Sequence, residues 1–335
     1  MKSLLLMLLV FVMGCNQNNK DEKGRNVIPG SLTVTDSLLI YSTWANEVII
    51  ENFKSKKVVF RESTTDKCYS RPLLIRGNIY FPKSDSIFTC VNTSTSKVIW
   101  NAALGGRCGE FYMAGNTIVA NEKHYGIVGL DIATGKRKYE LCYKYGDKCT
   151  LPDISPYRMS LNKNSFYVCD WQCNNVSAYD ISTGQNLWNK KGEFSTGNIV
   201  WINNVMFWGR NEFYKGGHIA LLDPENGKTV YEERADYEEN FDPIIYNNKV
   251  YYYKYDGTLN EFNVQERKNK VVYKFNKNND VSGHQMYLLN GKLYYSTQFK
   301  VYELNLSNFT NRVLKNDVKD IYGVYQDKDK LELIY

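Results

Sequence analysis

The chain has 335 residues, 43% of them hydrophobic and 14% aromatic, with 42 Lys and Arg against 36 Asp and Glu. That length is ample for one large all-β domain or two ordinary ones. No run of five or six basic residues occurs, which argues against a nucleic-acid partner, and the mild positive excess reads as a solvated surface.

Residues 1–14 are Met-Lys-Ser followed by an apolar run from Leu4 to Met13. The run is too short to span a bilayer as a stable helix and fits a secretory signal. It ends in Val12-Met13-Gly14-Cys15, which resembles a bacterial lipobox. The resemblance implies cleavage before Cys15, lipid on its sulfur, and anchoring of the mature protein at a membrane. The rival reading is an uncleaved signal with a chance cysteine. Residues 15–29 then form a lipidated polar tether, expected to be flexible. Asn16 is not the Asp that retains some lipoproteins at the inner membrane, so an outer-membrane location is expected, periplasmic or surface-exposed. Lys20-Asp21-Glu22 resembles the surface-export signals of some Bacteroidetes lipoproteins.

Residues 30–335 are expected to form a single domain built from a repeat. Its best copy is Ala178-Tyr179-Asp180-Ile181-Ser182-Thr183-Gly184-Gln185-Asn186-Leu187-Trp188. This predicts a strand ending at Asp180, a tight turn closed by Gly184 at positive φ, and a strand whose Trp packs on a neighbouring sheet. Asp131, Thr134, Gly135 and Tyr139 fit the same frame, as do Asp223, Asn226, Gly227 and Tyr231. Weaker copies start at Asn52, Asn92, Asn263 and Asn305, so the anchors lie 40, 39, 49, 43, 40 and 42 residues apart. Upstream of each frame is an apolar-aromatic hairpin, turning for example at Gly77-Asn78, Gly115-Asn116, Asn203-Asn204, Asn247-Asn248 and Asn290-Gly291. Four short strands repeated near every forty residues predict a β-propeller. Seven repeats are complete, and a last hairpin from Tyr322 to Tyr335 ends the chain. Eight blades, the last completed by residues 22–30, is the preferred count, because an unpaired hairpin would expose sheet edges. Seven blades with the hairpin packed outside is the alternative.

Asp-x-x-Thr-Gly-x-x-x-Trp also resembles the repeat of the pyrroloquinoline-quinone-like (PQQ-like) propeller family. That family includes quinoprotein dehydrogenases and non-enzymatic members such as the outer-membrane lipoprotein of the β-barrel assembly machinery. The quinoprotein enzymes carry vicinal cysteines over their cofactor. This chain has no adjacent cysteine pair, so no cofactor is expected.

The turns within hairpins are tight, whereas the connections from the second to the third strand, and from blade to blade, vary in length. The variable connections share one face, where binding is expected. They carry the aromatic residues Trp44, Tyr125, Trp171, Phe213, Tyr214, Tyr255 and Phe299, and just before first strands lie Arg71, Arg107 and Arg158. The arginines have two readings, anion binding or pairing with Asp66, Glu110 and Asp153. Six cysteines fall on the same face, and export suggests disulfides: Cys142–Cys149, Cys169–Cys173 and Cys68–Cys108. Cys90 is expected to fill a small buried site. No His accompanies the cysteines at ligand spacing, so no metal is expected, and His124, His218 and His284 are scattered without a nucleophile motif. No catalytic residues are assigned. The leading function is a non-enzymatic lipoprotein that binds another protein through this face. A glycan-binding surface lipoprotein is the alternative, and a propeller enzyme with a channel site comes third.

Overall fold

The computed structural model describes residues 26–28, 30–35, 37–122, 126–141, 158–162, 164–170, 175–191, 195–212, 216–236, 242–254, 256–275, 281–297, 300–318, 321–327 and 330–334. It is all-β. Each blade is a four-stranded antiparallel sheet whose strands, A to D, follow chain order. Blade 1 comprises Thr33–Val34, Leu38–Thr43, Glu47–Asn52 and Lys57–Ser63, and blade 2 Leu73–Ile75, Asn78–Ser84, Ile87–Asn92 and Lys97–Ala103. Blade 3 comprises Cys108–Ala114, Thr117–Glu122, Gly126–Asp131 and Arg137–Leu141, and blade 4 Arg158–Leu161, Ser165–Asp170, Asn175–Asp180 and Asn186–Lys191. Blade 5 runs from Ser195–Ile202 to Thr229–Arg234, blade 6 from Ile244–Tyr246 to Lys268–Lys274, and blade 7 from Val281–Leu289 to Asn311–Asn316. The A strands of blades 3, 4 and 5 lie against one another in turn, which places them at the centre of the ring.

The apolar residues do not gather into one core. They form a cluster at each junction between neighbours, because alternate residues of a strand face opposite ways. Ile79 and Phe81 pack against Ile50 and Phe60 of blade 1, whereas Tyr80 between them packs against Ile118 and Leu130 of blade 3.

The ring contains seven four-stranded blades, the count held as the alternative. The preferred eighth blade does not form as a four-stranded sheet. The terminal hairpin, Gly323–Asp327 with Lys330–Ile334, instead wedges between blades 7 and 1. Val324 packs with Tyr294 and Val301 of blade 7, while Tyr325 and Ile334 pack with Leu39, Tyr41 and Phe53 of blade 1. Two strands are enough to cover both neighbours. Residues 26–28 do not complete the hairpin as a strand; Val27 bridges to Thr43 of blade 1 and joins the same apolar cluster.

The anchor residues behave as their chemistry requires. Asp131 Oδ1 accepts from the N–H groups of Ala133 and Thr134 (3.1 and 3.0 Å) and from the Thr134 hydroxyl (2.9 Å). Asp180 accepts the equivalent set from Ser182 and Thr183. The hydroxyl bond from Thr134, and that from Ser182, lead in holding these carboxyls below their ordinary range. Four residues after the anchor φ is positive in all seven repeats, between +53° and +72°, whether the residue is Gly or, as at Lys56, Ser96, Arg267 and Phe309, not.

Glycine has a second reason where it occurs. The indole of Trp100 lies on Gly135, the ring of Tyr139 on Gly184, and the indole of Trp188 on Gly227, each glycine belonging to the following blade. A Cβ on these glycines would sit about 2.5 Å from ring carbons. The same rings donate across the junction: Trp100 Nε1 to the Ile132 carbonyl (3.1 Å), Tyr139 Oη to Ile181 (2.9 Å), Trp188 Nε1 to Pro224 (2.7 Å). A β-bulge interrupts the C–D ladder of every blade, and in blades 1 to 6 it turns the D strand so that the residue after the bulge faces the junction. That residue is Phe60, Trp100, Tyr139, Trp188, Tyr231 and Tyr273 in blades 1 to 6.

Blades 6 and 7 carry a different brace. Glu261 accepts from Lys249 (2.8 Å), Lys270 (3.0 Å) and the Tyr251 hydroxyl (2.8 Å), and Glu303 from Arg312 (2.8 and 3.1 Å), Lys292 (3.1 Å) and the Tyr294 hydroxyl (3.1 Å). Burial pushes both carboxyls up, but the cations, joined at Glu261 by the Tyr251 phenol, outweigh it and hold them below the usual range.

Two tests follow from these contacts. Gly227→Ala forces a Cβ at φ +70° into the Trp188 ring and should cost about 2–4 kcal/mol, combining backbone strain with overpacking. Arg267→Ala, at the same turn position in blade 6, should stay within about 0.5 kcal/mol; urea unfolding of the two variants makes the comparison. For Glu261 and Glu303 the folded pKa is depressed, so their stabilisation is present at neutral pH and fades as pH falls below about 4. Glu303→Gln should therefore lower the melting temperature at neutral pH and flatten its decline in acid, and an unchanged acid profile would contradict the role given to this carboxylate.

Candidate functional site

The two faces of the ring differ in kind. On one lie the A–B and C–D turns, tight and built from Asn and Gly at positive φ, including Asn203-Asn204, Asn247-Asn248 and Asn290-Gly291. On the other lie the B–C and D–A connections, and on this face the described residues bring together side chains from three blades.

Trp44 follows strand B of blade 1, Lys67 and Tyr69 lie in the connection from blade 1 to blade 2, and Arg107 lies in the connection from blade 2 to blade 3. The Lys67 ammonium sits 4.6 Å from the centre of the Trp44 ring. Trp44 and Tyr69 meet edge to face, with centroids 6.2 Å apart and planes at 87°. The Arg107 guanidinium carbon is 4.2 Å from the centre of the Tyr69 ring, and its Nε lies 3.6 Å from Asp85 Oδ1. The order Lys67–Trp44–Tyr69–Arg107 is thus a ladder of two touching rings with a cation at each end. Tyr69 is 41% exposed at its centre.

Of the residues singled out in the sequence, Trp44 and Arg107 belong to this ladder. Arg71 lies nearby but does something else: its Nε donates to the Gly30 carbonyl (3.0 Å), fastening the chain entry to blade 2. Arg158 begins strand A of blade 4, opposite Cys169. Asp66 and Glu110 also have other work. Asp66 Oδ2 accepts from the Asp85 N–H (3.1 Å), and Glu110 accepts from the Tyr112 hydroxyl (3.2 Å). Tyr125, Trp171, Phe213, Tyr214, Tyr255, Phe299, Asp153, Cys15, Cys142, Cys149 and Cys173 lie outside the described residues. Lys67 and Tyr69 were not picked out from sequence, although they flank Cys68 in the connection that drew attention there.

The expected Cys68–Cys108 bond is absent from the structure, which has both as separate buried thiols. Each is already occupied: Cys68 Sγ donates to the Ser70 carbonyl (3.5 Å), and Cys108 Sγ to that of Glu110 (3.8 Å). Burial pushes the Cys68 thiol up to about 11 and that of Cys108 further. Cys90 is buried opposite Trp100, at the position held by Gly129 and Ala178 in blades 3 and 4. His218 lies 3.6 Å from Glu232 of the same blade. Glu122, buried at the end of strand B of blade 3, accepts from the Gly105 N–H (3.1 Å) and Arg137 (2.9 Å), bracing the blade 2 to blade 3 connection; burial raises its carboxyl. Among the described residues no three His, Cys, Asp or Glu side chains converge as a metal site, and no helix is long and apolar enough to cross a membrane.

Comparison with known proteins agrees with this architecture. A family model described as "Outer membrane protein assembly factor BamB" matches residues 71–198 and 172–273, together more than half of the chain. No curated protein matches it in sequence. The crystal structure of BamB from Moraxella catarrhalis superposes with a TM-score of 0.59 at 14% identity, covering 81% of this chain and 83% of that one. The computationally designed Ika8 protein gives 0.69 at 11% identity, over 95% and 96% of the two chains. Dihydro-heme d1 dehydrogenase NirN in complex with DHE gives 0.66 at 12% identity, over 86% of this chain and 66% of that one. At such identities the structural likeness speaks to the fold alone.

Proposed function

The chain belongs to the family of the outer membrane protein assembly factor BamB, and from that membership we propose that it is a non-enzymatic, lipid-anchored scaffold that binds another protein through its B–C and D–A face. The observation that carries the reading is the difference between the two faces. One spends its turns on holding blades together, and the other gathers aromatic and cationic side chains from several blades, the composition enriched where proteins bind proteins. Rigid sheets beneath that face lower the entropy cost of presenting a fixed surface. Trp171 and Tyr214 are the contact residues assigned to this face, beside Trp44, Tyr125, Phe213 and Tyr255.

The anchor is Cys15, acylated after cleavage of residues 1–14, with residues 15–29 as the tether to the outer membrane. Cys15→Ala should move the protein from the membrane fraction to the soluble one and abolish metabolic labelling with palmitate; labelling that persists would remove the anchor from the proposal.

For the binding face, the protein is cross-linked to its partner in intact cells and the complex is purified. Trp171→Ala with Tyr214→Ala should then weaken binding at least tenfold, an anchor of this type being worth about 2 kcal/mol or more, while the melting temperature stays put. If binding survives these changes but is lost on altering the Asn247-Asn248 turn, the functional face is the other one.

A further inference from the structure

Building on the scaffold reading, we propose that the corner formed by Trp44, Lys67, Tyr69 and Arg107 is the docking point for an acidic segment of the protein partner. Aromatic platforms that bind neutral sugars need a bare ring face. Here Lys67 lies over Trp44, Arg107 lies over Tyr69, and the two rings meet edge to face. What the corner offers instead is positive charge held in place by rings.

A guanidinium held over a phenol ring by its central carbon keeps N–H groups for bidentate recognition of a carboxylate. Its present partner holds it loosely. The 3.6 Å separation from Asp85 is well beyond a charge-assisted hydrogen bond, and both side chains are substantially exposed, 39% and 62%. An incoming carboxylate can therefore replace Asp85, whose own backbone N–H is held by Asp66.

The choice of a polypeptide over an anionic glycan follows from the scaffold reading. The acidic groups facing the corner are Asp85 and Asp66, from the B–C turn of blade 2 and the connection before it.

The test uses the full acylated chain in detergent and a fluorescein-labelled oligoglutamate, read by anisotropy at low ionic strength. Oligolysine, oligoserine and oligogalacturonate serve as the comparison probes. Saturable binding of oligoglutamate is expected, weakened at least about tenfold by Lys67→Glu with Arg107→Glu and by a smaller factor by Tyr69→Ala. Lys97→Glu, an exposed reversal beside the tight turn of the other face, should change it less than twofold. Thermal melts establish that every variant is folded. Absence of saturable binding, equal weakening by Lys97→Glu, or tighter binding of oligogalacturonate would each overturn the assignment. A cross-linked cellular partner that binds the Lys67→Glu, Arg107→Glu variant undiminished would remove this corner while leaving the scaffold reading intact.

Discussion

An aromatic ring laid on a glycine of the next blade is the contact on which the ring architecture rests. It joins three demands at one point. The turn must have positive φ four residues after its carboxylate anchor, the position must lack a Cβ, and the ring must present a donor to the carbonyl beside the anchor. Trp100, Tyr139 and Trp188 meet all three with Gly135, Gly184 and Gly227. Neither the stacking nor the hydrogen bond belongs to one blade, so each blade is completed by its neighbour. Such coupling through nearest neighbours is how repeat proteins distribute stability.

The clasp also explains where the glycines are missing. Ser96, Arg267 and Phe309 keep the positive φ, so the turn survives, but each has a Cβ where a ring would lie. The preceding rings settle differently. Tyr231 packs on Phe262, and its hydroxyl donates to Glu233 (2.6 Å); Tyr273 packs edge to face on Phe275. In blades 6 and 7 the buried carboxylates of Glu261 and Glu303 tie strands B, C and D together within the sheet. One half of the ring is joined by rings across junctions, and the other adds ion pairs inside blades.

This division of labour reaches function. The C–D turns of blades 3 to 5 are consumed by the clasps and the A–B turns are as short as a hairpin allows, so that face has little left to vary. The B–C and D–A connections bear no such duty. Their side chains can meet across three blades, as Trp44, Tyr69 and Arg107 do.

Much of this was legible in the sequence, because the determining interactions are local. An Asp followed by Thr and Gly encodes a turn whatever surrounds it, alternation of apolar residues encodes a two-faced strand, and the spacing of anchors encodes the repeat. The sequence therefore determined the fold, the strand order and the identity of the two faces. It did not determine the number of blades, because closure depends on how the terminal hairpin fits the gap between blades 7 and 1. Nor did it reveal the bulge that aims each D-strand aromatic, which is a matter of pairing register between strands. Tyr69 and Lys67 lay hidden for a similar reason: nothing near them in the chain announces Trp44 or Arg107, and only the packing of blade on blade brings the four together. Cys68 and Cys108 illustrate the converse. Equivalent positions on adjacent blades suggested a bond, but each thiol is turned to the carbonyl two residues further along its own segment, a choice that spacing along the chain does not contain.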